Sequence, residues 1–111
     1  MVPNSVATMP NVLDQPLDEE DLRRERARAR ALRGSQWWKN RRSQGICYYC
    51  HRRFPPRELT MDHRVPLVRG GKSVRSNLVP CCRECNKAKE DLLPSEWQAY
   101  LDHLAAQNPS R

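Results

Sequence analysis

A small α+β domain with little hydrophobic core is the fold this sequence predicts, and three observations lead there. Its 111 residues carry only 38% hydrophobic and 6% aromatic side chains, too little for so short a chain to hold itself together by burial alone. Two Cys-x-x-Cys pairs, Cys47/Cys50 and Cys82/Cys85, can supply the missing staple. Between and behind those pairs lie two short β-prone runs, at about 59–65 and 77–79, and a helical run at about 83–92.

Taken in order, residues 1–16 hold three prolines, no aromatic side chain and no apolar periodicity, and read as a disordered leader. Asp18-Glu19-Glu20-Asp21 offers an N-cap and an acidic first turn to a helix from Leu22 to Leu32 that Gly34 can end. Its apolar line, Leu22, Ala29 and Leu32, is thin, so the helix is expected to project as an arm or rest lightly on the domain. Arg23, Arg24, Arg26, Arg28, Arg30 and Arg33 surround it. They suit phosphate contact, and Glu19–Arg23 and Glu20–Arg24 pairs at i,i+4 equally suit a solvated helix. Trp37, Trp38, Lys39, Arg41 and Arg42 complete this arm and linker, 17–44. The two tryptophans fit packing against the domain better than stacking on bases.

The core is expected at 45–93. Gly45 to Phe54 reads as a metal knuckle containing Tyr48 and Tyr49, and Pro55-Pro56 forces an extended link into the first strand. Pro66 to Ser76 is loop, marked by Gly70-Gly71. In the closing segment, 94–111, Ser95-x-x-Gln98 after Pro94 reads as a capping box. Trp97, Tyr100, Leu101 and Leu104 make one apolar stripe there, so an amphipathic helix packs back on the domain.

Twenty Lys plus Arg against thirteen Asp plus Glu leave a formal net charge of +7, which favours a polyanionic partner. Arginine dominates, and its fork suits bidentate phosphate contacts, so nucleic acid is the expected partner. The start is polar, with no hydrophobic signal segment, and no apolar run approaches the ~20 residues of a membrane span. A reducing, cytoplasmic setting with metal thiolates therefore outranks disulfides for the five cysteines.

Further residues exceed what a structural metal needs. Asp62-His63 is followed by Val65-Pro66; Arg69-Gly70-Gly71, Asn77-Leu78-Val79-Pro80 and Cys82-Arg83-Glu84-Cys85-Asn86-Lys87-Ala88-Lys89 come after. That order, from Cys47 to about Leu93, resembles the HNH endonuclease family, in its zinc-knuckle members with a ββα-metal (His-Me finger) core. Where the family name expects a final His the chain has Asn86, as in His-Asn-Asn variants.

The resemblance implies a ββα-metal core stapled by a four-cysteine zinc site and flanked by a basic N-terminal and an amphipathic C-terminal helix. Four thiolates at this spacing suit tetrahedral Zn²⁺. Cys81 is out of register for it and is expected to be a small buried residue, while His51 is poorly placed to share the ion. Asp62 and Asn86 offer hard oxygens to a second cation, Mg²⁺ or Mn²⁺, with Ni²⁺ as a further candidate. His63 has a pKa near neutrality and suits a general base. By resemblance, Asn77 fixes the loop that aims it, and the products carry 5′-phosphate and 3′-hydroxyl ends. Adjacent strand residues face opposite ways, so Asp62 and His63 need a twist or an end of the strand to share one phosphate.

DNA, double-stranded by expectation, would lie across the arginines already named, Lys39, Arg41 and Arg42, and then Arg64, Arg69, Lys72, Lys87 and Lys89. Small HNH proteins resemble accessory nucleases of phage packaging, restriction or mobile-element systems, so a larger protein machine is a further expected partner. The competing reading is a zinc-stabilised nucleic-acid-binding or accessory module without catalysis.

Overall fold

The computed structural model describes residues 17–107. The expected leader, 1–16, and the tail beyond 107 lie outside the described residues. Helix α1 (Glu19–Arg33) starts on Asp18, whose side chain accepts from the Asp21 backbone N–H, and ends at Gly34. Helix α2 (Gln36–Arg42) follows at once, capped by Ser35. Strand β1 (Thr60–His63) and strand β2 (Leu78–Cys81) form one antiparallel pair, with Thr60 opposite Cys81 and His63 opposite Leu78. Helix α3 (Arg83–Lys89) leaves β2 directly, and helix α4 (Pro94–Gln107) closes the described chain. This is the small α+β architecture that the sequence predicts, with a helix directly behind a two-stranded sheet.

Local boundaries differ from expectation for identifiable reasons. Helix α3 stops at Lys89 because Glu90 adopts a left-handed φ of 47°. Helix α4 begins two residues before the first helical position that a cap on Ser95 implies: Pro94 takes that place, where its missing N–H costs nothing. Glu96 then reaches back to accept from the Leu93 N–H at 2.8 Å, half of a capping box built on Leu93 and not on Ser95.

The core gathers around the cysteines: Cys47, Leu59, Cys81, Cys82, Cys85 and Trp97 are buried together, with Tyr49, Cys50, Phe54, Leu92 and Leu101 against them. The stripe on α4 is buried mainly at Trp97, while Tyr100 and Leu104 stay exposed. Trp38 is buried, whereas Trp37 sits half-buried with the guanidinium groups of Arg41 and Arg75 over its ring.

Helix α1 attaches to the domain differently from expectation. Among its side chains only Glu25 and Ala29 are buried, so a carboxylate rather than a leucine line docks it. The Glu25 side chain accepts from the Ser73 N–H at 2.7 Å, and its other oxygen pairs with Arg28 at 2.8 Å.

Candidate active site and metal centre

The four cysteines of the two pairs converge. Their sulfurs all lie within 4.8 Å of one another, and Cys50 and Cys82 are 3.9 Å apart. Tetrahedral Zn–S bonds of about 2.3 Å place sulfurs roughly 3.8 Å apart, so the donor set fits zinc. Backbone N–H groups of Tyr49 and Cys82 point at Cys47, and that of Cys85 at Cys82, which favours sulfur in its thiolate form. Burial works against ionisation at Cys50, yet hydrogen bonds from Arg52 and its cysteine neighbours bring it down to about 7. Burial pushes Cys82 and Cys85 up, and crowding by the other thiolates adds to it; a dication is what lets all four ionise together. All five cysteines are free thiols, and Cys81 stands apart from the cluster, buried and donating weakly to the Cys82 carbonyl. His51 is exposed, at a left-handed φ of 61°.

Farther along the chain, β1 carries the second constellation. Asp62, His63 and Asn86 line one open cleft of about 320 Å³, with Glu90 and Asp91 at its side. The strand ends at His63, which relieves the alternation that would otherwise set two neighbouring side chains on opposite faces. Asp62 is half-buried. Its Oδ2 accepts from the Tyr49 hydroxyl at 2.7 Å and pairs with the Lys89 ammonium at 3.3 Å. Among the described residues both contacts fall on Oδ2, so Oδ1 is the oxygen left for a metal.

Asn86 lies in the middle of α3 and not at its start, so it is no helix cap; Cys82 caps that helix. Its amide Nδ2 donates to Thr60 Oγ1 at 3.0 Å, and that hydroxyl donates to the Cys81 carbonyl at 3.1 Å. A hydroxyl has one proton to give, so Thr60 must accept from Asn86, which orients the amide and leaves its Oδ1 for a cation.

Asn77 holds the loop. Its carbonyl accepts from the Val65 N–H at 2.9 Å, and its amide donates to the Val65 and Lys72 carbonyls at 3.0 and 2.9 Å. Gly71 completes the loop's closure, since a Cβ there would stand 1.8 Å from the Val65 carbonyl oxygen. Arg69 ties the same loop to α4 by pairing with Glu96 at 3.1 Å.

Residues 47–92 match the family model described as HNH endonuclease. That segment is similar to an HNH endonuclease domain. No curated protein matches the chain. An HNH domain points to nuclease-type, DNA-related function and implies a nucleic-acid substrate; the four-cysteine cluster within it suits structural zinc.

Lys89 departs from its expected place among the phosphate-contacting cations. It is 1% exposed, bonded to the His63 carbonyl at 3.2 Å and lying over the Tyr49 ring. Its spacing offered a signal, because Lys89 follows Asn86 by three residues and so shares its helical face. Arg24 and Arg28 are also partly spent within the chain, on Glu20 and Asp21 and on Glu25 respectively. Tyr49, Thr60, Ser73 and Glu25 had no sequence signal that set them beside Asp62, His63 and Asn86.

Proposed function

We propose that the chain is a metal-dependent HNH endonuclease that hydrolyses DNA phosphodiester bonds. One observation carries this reading: Asp62, His63 and Asn86 line a single open cleft within the segment that matches the HNH model. His63 takes the proton from the attacking water. Burial lowers its pKa despite the opposing charge of Asp62, so the ring stays neutral and able to accept at physiological pH. Asp62 and Asn86 would hold a divalent cation, Mg²⁺ or Mn²⁺, which supplies charge stabilisation at the scissile phosphate and the departing oxygen. Asn77 fixes the loop behind His63. Exposed Arg23, Arg26, Arg30, Arg33, Lys39, Lys72 and Lys87 offer phosphate contacts that position the duplex.

The test is incubation with supercoiled plasmid in Mg²⁺, Mn²⁺ or Ni²⁺. Open-circle product is expected from wild type and not from His63→Ala; wild-type protein inert with every metal overturns the reading. One observation favours the alternative of a non-catalytic zinc-stabilised nucleic-acid-binding module, namely that the Lys89 ammonium already balances Asp62. The same assay decides between the two.

A further inference from the structure

Behind His63 stands a hydroxyl outside the Asp-His and Asn motifs, anchored by a helix outside the HNH match. His63 Nε2 lies 2.9 Å from Ser73 Oγ, and Ser73 Oγ lies 2.6 Å from the backbone carbonyl oxygen of Glu25. A carbonyl can only accept, so the single Ser73 proton goes to Glu25. The remaining contact is then settled: Ser73 must accept, and Nε2 must carry the ring proton. In the neutral ring this leaves Nδ1 as the basic nitrogen.

The arrangement is built to hold still. Ser73 is 2% exposed and Glu25 3%, and the Glu25 carboxylate takes the Ser73 N–H as well. Serine is thus fixed at both its backbone and its hydroxyl by one residue of α1. A buried carboxylate is costly to desolvate, and Glu25 meets that cost with the Ser73 N–H and the Arg28 guanidinium, so the contact that docks α1 also fixes Ser73.

We propose that Ser73, held by Glu25, is a positioning residue that presents His63 as the Nε2–H tautomer with Nδ1 toward the substrate side. This rests on the nuclease reading of the cleft, and it makes helix α1 part of the active-site apparatus as well as a basic surface.

The experiment joins a spectrum to a rate. Long-range ¹H–¹⁵N correlation spectra of full-length, zinc-loaded protein should show His63 protonated at Nε2 in wild type and a mixed population in Ser73→Ala. In plasmid nicking with Mn²⁺, Ser73→Ala should lose turnover by roughly 10- to 100-fold, the range typical when a hydrogen-bonded supporter of a site residue is removed, with KM for DNA unchanged. Ser73→Thr, which keeps the hydroxyl, should recover most of it. A wild-type ring protonated at Nδ1, or Ser73→Ala turning over at the wild-type rate, overturns the positioning role while the nuclease reading stands. Wild-type protein inert with every metal overturns the nuclease reading itself. The wild-type spectrum decides the matter even where Ser73→Ala does not fold.

Discussion

On the proposed nuclease reading, two neighbouring side chains on one strand have different tasks, and their losses should look different. His63→Ala removes proton abstraction but no fold contact beyond Ser73, so zinc, fold and DNA affinity should persist while nicking falls by about 10²- to 10⁴-fold. Asp62→Ala removes a hard oxygen ligand, and its activity should return in part at high Mn²⁺. A metal titration of nicking for both variants, with circular dichroism as control, separates them; recovery of His63→Ala at high metal would undo the assignment. The pH dependence follows from the same environment. Burial holds the His63 pKa below its usual value, so the base stays unprotonated to lower pH, and activity is full above that pKa and lost as pH falls through it. The acid limb of the rate profile should therefore have its midpoint below ~6.5, and a midpoint above that value would contradict the buried base. Asp62, His63, Asn77 and Asn86 were legible in the sequence because their order is a motif. The spacing of Lys89 to Asn86 gave its helical face but not its burial, since one-dimensional order does not tell a lysine facing phosphate from one buried against a carboxylate.

At the scale of elements, the helices with local start and stop signals were readable. Asp18 and Gly34 bound α1 where capping chemistry requires. Both strands were found, the first shortened to Thr60–His63 and the second shifted onward to Leu78–Cys81. What α1 does on the domain was not readable, because the contact between Glu25 and Ser73 joins residues 48 apart in sequence and no periodicity announces a buried carboxylate. From sequence, loss of the arm is expected to weaken binding and spare the chemistry. The positioning role proposed for Ser73 changes that expectation. Deleting residues 1–33 should flatten the slope of log affinity against log salt by up to ~0.9 for each phosphate that the truncated chain leaves unneutralised, and it should also lower turnover at saturating DNA. Measuring both quantities on one variant is decisive, and an unchanged turnover would show that α1 serves binding alone.

For the whole molecule, stability is expected to hang on the cysteine cluster, because four of the six residues buried together around it are cysteines and three of those belong to the set whose geometry suits zinc. Zinc can contribute on the order of 10 kcal/mol to so small a module. Cys82→Ser, which also removes the sulfur that caps α3, should lose zinc and melt far below wild type. Chelation of the wild-type protein should do the same, as read by metal content and thermal melting; full zinc occupancy with wild-type melting in Cys82→Ser would disprove the staple. Composition made this dependence legible in advance, since a chain with 6% aromatic residues has little else to bury.

The loop between the strands is gripped from two directions, by Glu25 of α1 at Ser73 and by Glu96 of α4 at Arg69. Both grips come from beyond the stretch that matches the HNH model. Portability is expected to run the opposite way from what a compact motif suggests: 47–92 should not carry the proposed activity along when recombined into another protein. Excised and refolded with zinc, that piece should keep its knuckles while the amides of Leu67 to Ser73 exchange with solvent far faster than in the whole chain. Acquiring the proposed nuclease by gene fusion would then require inheriting its flanking helices with it.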